Sequence, residues 1–248
     1  MFETDQPLLA VLIDADNVPA KYAKPLLDEI ASLGEASIRR IYGDFSNGLP
    51  QGWTREVLAD LAIVAHQQFA FTKGKNASDI ALVIDAMDIL HGGRVDGIVL
   101  VSSDSDFTRL ASRVREQGLR IIGMGESKTP DSFQNACQRF ISLENLFDVE
   151  EADEGSNRPK IVKQPASKAV PMIRKAMSAL AEPGEWVALS PLGQQISRAN
   201  PGFDYRSYDC KSLAELLEKS GGFMVDRTSS PLRARNKKKG ERGTAATA

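Results

Sequence analysis

Two apolar runs in this chain end directly in aspartates, and this feature limits what the chain can fold into. The runs read "LLAVLIDADN" from Leu8 to Asn17 and "GIVLVSSDSDF" from Gly97 to Phe107. Their acids are Asp14, Asp16, Asp104 and Asp106. Short, continuously apolar runs are typical of parallel strands that are buried on both faces. Such strands need helices on either side of the sheet, so the pattern favours an α/β fold.

Strand-like and helix-like segments alternate regularly from Leu8 onwards, as in a parallel sheet with helices on both faces. The predicted strands are Leu8–Ile13, Ala36–Tyr42, Ala62–Gln67, Gly97–Ser102 and Arg120–Met124. The predicted helices are Lys21–Leu33, Thr54–Leu61, Asp79–His91 and Asp106–Gln117. Gly34 and Gly118 stand where helix C-caps are expected. The pattern predicts one α/β domain over residues 1–149.

The composition changes after residue 149, which indicates a second domain. Residues 150–168 are polar and contain Gly and Pro, as expected of a linker. Residues 169–228 show three helical segments and a terminal hairpin strand, which predicts a small winged-helix-like domain. Residues 229–248 are basic and polar, and we expect them to be disordered.

Charge is distributed unevenly along the chain. Residues 1–150 contain 14 Lys and Arg against 22 Asp and Glu, a net charge of −8. Residues 151–248 contain 17 against 11, a net charge of +6. The basic half is therefore the candidate docking surface for nucleic acid.

Composition excludes some classes of site and location. With two Cys and two His, the chain cannot build a structural zinc site with paired ligands. Any metal must be held by oxygen ligands, which favours Mg²⁺ or Mn²⁺. The sequence contains no signal peptide and no apolar run of about 18 residues, so we expect a soluble cytoplasmic protein without a membrane partner.

The acidic strand ends predict a shared site. In an open parallel sheet, ligands bind beyond the carboxyl ends of the strands where the winding reverses, and neighbouring strands there would bring Asp14 and Asp104 together. Asp79 opens a helix whose in-register residues Leu82, Val83 and Ala86 are apolar, so it is predicted on the core side. Asp85 and Asp88 fall on the opposite face, and we expect both to be solvated.

Gathered carboxylates need compensation. Two of them about 5 Å apart repel by about 3 kcal/mol at an effective dielectric near 20. A divalent cation offsets this repulsion and assists phosphodiester hydrolysis. Plainer interpretations stay open: Asp104 and Asp106 suit a helix N-cap and a first-turn acid, and "DADN" suits a turn. Asn17 could position water or phosphate, or cap a helix begun by Pro19.

Several ordered motifs resemble the NYN domain family of PIN-like ribonucleases, in a bacterial branch. They are "LIDADN", "YGDFSN", "GKNASDIALVIDAMD" and "LVSSDSDF", followed by "IIGMGESKTPDSF", and the similarity covers residues 8–146. The segment over residues 170–226, with "WVALSPLGQQI" and "YDCKSLAELLEKSGGFMV", resembles the OST-HTH/LOTUS domain, a winged-helix RNA-binding module.

The resemblance implies a Rossmann-like (PIN-like) fold in which acidic residues bind Mg²⁺ or Mn²⁺ for RNA cleavage. Asp14 matches the first-strand aspartate and Asn17 its companion. Asp79 matches the helix-start acid, and Asp104 and Asp106 match the "SDSDF" pair. The expected metal ligands are thus Asp14, Asp79, Asp104 and Asp106, and Asn17 joins them as a catalytic candidate.

RNA, single-stranded or structured, is the expected partner. Candidate phosphate-binding residues are Lys73, Lys75, Arg233, Arg235, Lys237, Lys238 and Lys239. The first hypothesis is a metal-dependent ribonuclease. The second is a non-catalytic RNA-binding regulator with a vestigial acidic pocket, and a third is a phosphatase that uses Asp14 as a covalent nucleophile.

Overall fold

The computed structural model describes residues 6–46, 48–69, 77–147 and 163–237. The chain forms two compact units, one within residues 1–159 and one within residues 160–248.

The first unit is an α/β structure built on one parallel six-stranded sheet. Its strands are β1 (Leu8–Asp14), β2 (Glu35–Gly43), β3 (Val64–Gln67), β4 (Gly97–Val101), β5 (Arg120–Gly125) and β6 (Arg139–Ser142). Its helices are α1 (Ala23–Ala31), α2 (Arg55–Asp60), α3 (Ala77–Gly92), α4 (Thr108–Glu116) and α5 (Asp131–Ala136). Short 3₁₀ turns cover Ala20–Tyr22, Ser105–Phe107 and Leu143–Leu146. The predicted fold class is confirmed.

Alternation along the central strands explains why helices cover both faces. In β1, Val11 and Ile13 belong to the core layer shared with α1, whereas Leu12 belongs to the layer that contains α3 and α4. The residues on both sides are fully buried. A strand that is apolar at every position is stable only between two such layers. The continuous runs in the sequence therefore correspond to the innermost strands.

The sheet order places the ends of β1 and β4 side by side. The order is β3-β2-β1-β4-β5-β6, so the chain winds outwards from β1 in one direction and from β4 in the other. Ile13 pairs with Val101 at the carboxyl end of the two strands. The predicted adjacency of β1 and β4 is confirmed. The acids that follow these two strands therefore lie at the same end of the sheet, beyond the carboxyl ends of the strands.

Two elements of the first unit were not predicted, namely α5 and β6. Each is short, with 6 and 4 residues respectively, and β6 lies at the edge of the sheet. Such short segments carry too few residues to show a period. The longest helix is α3, with 16 residues. Across the described ranges, no helix is both long enough and apolar enough to cross a membrane.

The second unit contains helices and a small antiparallel sheet. Its helices are α6 (Val170–Ser178), α7 (Leu189–Ala199) and α8 (Leu213–Lys219), and 3₁₀ turns cover Ala166–Ala169 and Tyr205–Tyr208. Its strands are β7 (Val187–Ala188), β8 (Phe223–Asp226) and β9 (Arg233–Asn236), in the order β7-β9-β8. Ile173, Leu192, Leu216 and Phe223 form its core. This arrangement agrees with the predicted winged-helix-like architecture.

Two predictions at the borders of this unit are wrong. Arg233–Asn236, placed in a disordered tail, is the central strand of the small sheet, and Ala234 is fully buried. The segment was not predicted as a strand because it contains a single apolar residue, which lies between two arginines. Ala166, placed in the linker, packs in the core, and the backbone N–H of Gln164 donates to Ser207 O at 2.9 Å. The other proposed domain limits stay predictions.

Candidate functional site

Asp14 is the last residue of β1, and it is buried with its carboxylate fully engaged. The residue is 1% exposed. Its Oδ2 accepts hydrogen bonds from Asn17 Nδ2 at 2.6 Å and from Ser102 Oγ at 2.7 Å. Its Oδ1 accepts from the backbone N–H groups of Asp16 at 3.1 Å and Asn17 at 3.3 Å. Asp14 therefore joins the loops that follow β1 and β4.

The side chain of Asn17 orients this carboxylate. Burial raises the pKa of Asp14, and the hydrogen bonds from Asn17 and Ser102 oppose that rise because they favour the charged form. The alternative role of Asn17 as a helix cap is wrong, because Pro19 occupies the cap position of the following 3₁₀ turn and no side chain caps it.

The loop after β4 is ordered by its own acids and by Ser102. The backbone N–H of Asp104 donates to Ser102 Oγ at 3.0 Å. Asp104 Oδ1 accepts from the backbone N–H of Asp106 at 2.8 Å and so caps the 3₁₀ turn Ser105–Phe107. The capping interpretation of Asp104 is thus correct. It does not compete with a role in the site, since the cap uses one carboxylate oxygen.

Asp79 brings the acidic residues into one cleft. It lies in the first turn of α3, next to Ser78, whose hydroxyl donates to Asp16 in the loop after β1. Burial, which is the largest cause, and the charges of nearby carboxylates together raise the pKa of Asp79 to about 6. In order of their effect on this pKa, the carboxylates are those of Asp14, Asp104, Asp16 and Asp106. The other three predicted acids therefore lie within electrostatic reach of Asp79, although the four come from three separate parts of the chain.

One member of this cluster, Asp16, was not among the predicted site residues. Asp16 is exposed, and its Oδ2 accepts a hydrogen bond from Ser78 Oγ at 3.1 Å. This contact ties the start of α3 to the loop after β1. The signal that could have identified Asp16 is its place in the "DAD" motif, two residues after a strand-end acid, where Asp106 stands relative to Asp104.

The acidic cleft matches a divalent cation in chemistry but is not a preformed cage. Its donors are carboxylate oxygens, which suit Mg²⁺ or Mn²⁺, and its mutual repulsion is what such an ion would relieve. Within the described ranges, no three His, Cys, Asp or Glu side chains stand in a metal-holding arrangement. Asp14 already accepts four hydrogen bonds. A bound ion would thus have to draw ligands from side chains that now make other hydrogen bonds.

Asp85 was predicted to be solvated, and this prediction is wrong. Its carboxylate accepts hydrogen bonds from the guanidinium of Arg40 and the hydroxyl of Tyr42. Although burial opposes the effect, these bonds lower the pKa of Asp85. The prediction failed because α3 packs over β1 and β2, and β2 presents the polar side chains of Arg40 and Tyr42 to the helix. Asp88 is exposed, as expected.

The proposed RNA-binding residues fall into two groups. Lys73, Lys75, Lys238 and Lys239 lie outside the described residues. Arg233 and Arg235 lie on β9, and Lys237 follows it, with its backbone N–H donating to Gly222 O at 3.1 Å. Arg233 and Arg235 thus belong to a folded sheet, and Lys237 is hydrogen-bonded to the folded unit rather than lying in a loose tail.

Trp186 lies beside these arginines and was not among the predicted site residues. The Cζ atoms of Arg233 and Arg235 lie 5.3 Å and 5.1 Å from its ring centroid. Trp186 is 38% exposed, so a large part of its ring is accessible to solvent. The arginines spaced two apart in "RAR" could have indicated a strand with one cationic face.

Comparisons with known proteins give the following matches. Residues 8–144 match the NYN domain, and residues 160–232 match the OST-HTH/LOTUS domain. No curated protein shows significant similarity to the chain. One similar solved structure is a protein of unknown function from Vibrio parahaemolyticus, with 19% identity over 59% of this chain and 99% of that chain, and a TM-score of 0.48. Another is Acinetobacter baumannii MurG, with 12% identity over 87% of this chain and 70% of that chain, and a TM-score of 0.37.

Proposed function

Because this chain belongs to the NYN domain family, whose fold is of the nuclease type, we propose that it is a metal-dependent ribonuclease that hydrolyses RNA phosphodiester bonds. The OST-HTH/LOTUS match suggests RNA binding by the second unit. In the proposal the first unit cleaves and the second holds the RNA.

The observation that carries the proposal is the convergence of carboxylates on Asp79. Burial and four neighbouring carboxylates raise the pKa of Asp79 to about 6, so holding these acids together in their charged form is unfavourable in the protein alone. Function commonly accounts for such an arrangement, because perturbed titrating groups concentrate at active sites. The position at the β1–β4 switch point agrees with where open α/β sheets bind ligands.

The chain's own residues supply ligands and order in this proposal. Asp14, Asp79, Asp104 and Asp106 would hold Mg²⁺ or Mn²⁺, and Asp16 stands close enough to assist. When bound, such an ion lowers the pKa of a water molecule and neutralises charge on a phosphodiester. Asn17 and Ser102 fix the rotamer of Asp14, so the carboxylate does not have to be ordered when substrate arrives.

A cleavage assay with matched variants tests the proposal. The full chain is incubated with end-labelled single-stranded RNA, or single-stranded DNA of the same sequence, in Mn²⁺, Mg²⁺ or EDTA. We expect chelator-sensitive cleavage of the RNA. We expect Asp14→Asn and Asp104→Asn each to lower the rate by at least about a hundredfold, the scale of removing a transition-state electrostatic group.

Asp88→Asn is the matched control, since it makes the same change at an exposed position of α3. It should cleave RNA at the wild-type rate. An Asp14→Asn protein that folds and cleaves like wild type would disprove the assignment. Circular dichroism of each variant separates loss of catalysis from loss of fold.

A specific observation favours the second candidate, a non-catalytic RNA-binding regulator. Asp14 is saturated with hydrogen bonds, and the described residues hold no ready metal cage. In that case the acids would serve to order the two loops. The regulator hypothesis predicts RNA binding without chelator-sensitive cleavage in the same assay, whereas the ribonuclease hypothesis predicts both.

The structure disfavours the third candidate, a phosphatase with Asp14 as nucleophile. The carboxylate is 1% exposed, and both of its oxygens accept hydrogen bonds. An attacking oxygen needs an open line to phosphorus, which this burial denies.

A further inference from the structure

One face of the small antiparallel sheet presents an aromatic side chain between cationic ones. In the β7–β9 pairing Val187 lies opposite Ala234, so Trp186, one residue earlier, lies opposite Arg235. Val187 and Ala234 point into the core, and the alternation along each strand turns Trp186, Arg233 and Arg235 to the other face. We name these three residues the tryptophan–arginine platform.

The platform is held by its neighbours on β8. Arg233 pairs in register with Asp226, and its Nε donates to Asp226 Oδ2 at 3.0 Å. Arg235 pairs in register with Met224, and its Nη2 lies 3.2 Å from Met224 Sδ. Both guanidinium groups also lie against the indole ring. These contacts reduce the rotamer freedom that the arginines would lose on binding a ligand.

Charge on the second unit selects the class of partner. Residues 160–248 contain 16 Lys and Arg against 8 Asp and Glu, a net charge of +8. A face with two arginines and an exposed indole suits a polyanion that also carries flat rings. Single-stranded nucleic acid has both features, since its phosphates attract guanidinium groups and its bases stack on aromatic side chains.

The third helix of the unit is unsuited to the same partner. In winged-helix folds a helix commonly enters a nucleic-acid groove, and α8 is the third helix here. Its polar side chains include Glu215 and Glu218, and Glu218 pairs with Arg227 at 2.8 Å. Lys219 is paired with Asp209 at 3.0 Å. With two acids and one cation, α8 carries a net negative charge, which is unfavourable for binding phosphate.

We propose that the second unit binds single-stranded RNA on the tryptophan–arginine platform of its sheet and not on α8. This inference rests on the proposed function, because it names the surface through which the RNA would be held. The arginines contact phosphates and Trp186 stacks with a base.

Fluorescence anisotropy in EDTA tests the surface without cleavage. The full chain is titrated into a fluorescein-labelled 20-nucleotide single-stranded RNA, and separately into a duplex of the same length. We expect Trp186→Ala to weaken binding by at least about fivefold, the lower end of the loss when one stacked base is released. Arg235→Gln should weaken binding and lower the slope of log K against log salt by about 0.7, as for one lost phosphate contact.

Two further variants make the result specific. Arg198→Gln removes the same charge from an exposed position of α7 and should bind like wild type at moderate salt. Arg235→Lys keeps the charge but loses the planar group, so its affinity should lie between those of wild type and Arg235→Gln. Thermal unfolding of each variant confirms that the second unit is intact.

Each outcome decides the inference separately from the proposed function. If wild type binds the single strand and neither Trp186→Ala nor Arg235→Gln weakens it, the surface is wrong, although the ribonuclease proposal stands. Equal affinity for the duplex would overturn base stacking. Tighter binding to a fluorescein-labelled acidic peptide, titrated in the same way, would also overturn the inference. Chelator-sensitive cleavage without any effect of the platform variants on KM would locate RNA binding elsewhere.

Discussion

Replacing Asp79 by Asn should stabilise the first unit when no divalent cation is present. The pKa of Asp79 rises from an ordinary 3.8 to about 6 because burial and four neighbouring carboxylates disfavour its charge. A raised acid pKa means that the charged side chain opposes folding above pH 6, and that this cost disappears below pH 3.8. The shift corresponds to about 3 kcal/mol, which solvent screening of a half-buried group reduces to about 1–2 kcal/mol.

Tryptophan fluorescence can isolate this effect to the first unit. In a Trp186→Phe background the buried Trp53, which is 3% exposed, is the remaining tryptophan and reports unfolding of the first unit alone. In EDTA at pH 7.5, Asp79→Asn should raise the Tm of that transition by about 2–8 °C. The gain should shrink as the pH falls from 6 to 4, and Mn²⁺ should reverse it by stabilising the wild type.

Asp131→Asn is the matched control, because Asp131 is also a first-turn acid of a helix but lies exposed outside the cluster. Its loss should be neutral or mildly destabilising, since a first-turn acid interacts favourably with the helix dipole. If Asp79→Asn behaves like Asp131→Asn in EDTA, the carboxylates do not oppose one another, and the reasoning about the cleft is refuted.

Three further substitutions probe the surroundings of the cleft by urea unfolding. Ser102→Ala should cost about 1–3 kcal/mol and lower activity, because buried Asp14 loses a hydrogen bond to its charged form. Asp85→Asn should cost about 1–2 kcal/mol at pH 7 through its bond to Tyr42; its lowered pKa means that wild type loses this advantage as the pH falls below 3.8. Gly125→Ala should cost about 1–3 kcal/mol, because the new Cβ would lie 2.5 Å from a backbone carbonyl oxygen.

Controls for these substitutions come from exposed positions nearby. Ser105→Ala and Asp88→Asn change the same residue types at exposed sites and should leave the free energy of unfolding within about 0.5 kcal/mol of wild type. Gly92→Ala adds a Cβ in open space at the end of α3 and should be neutral or stabilising. If a test variant changes the free energy of unfolding no more than its control does, the stabilising role proposed for the corresponding contact is contradicted.

The central strands of the first unit could be predicted because a strand that is buried on both faces is a continuous run of apolar residues. Both β1 and β4 are apolar at almost every position, and their pairing follows from the rules of parallel sheets. The edge strand β6 is not such a run, since its four residues mix Arg and Ser with two apolar residues. The strand β9 was not predicted for the same reason, since its four residues are mostly polar.

Within the site, the acids were predictable but their hydrogen bonds were not. Strand ends and a helix start located Asp14, Asp104 and Asp79 because backbone direction decides where those residues go. The role of Ser102 depends on the distance between two loops, which no local pattern encodes. The environment of Asp85 was predicted wrongly because a helical wheel shows which face of the helix is apolar. It does not show which polar groups of the sheet lie next to the other face.

Isothermal titration of Mn²⁺ into the full chain at pH 7.5 tests the central claim most directly. We predict saturable uptake by wild type, loss of that uptake in Asp104→Asn and Asp79→Asn, and unchanged uptake in Asp88→Asn. Absence of binding in wild type, or undiminished binding in Asp104→Asn, would contradict the claim that the converging carboxylates form a cation site.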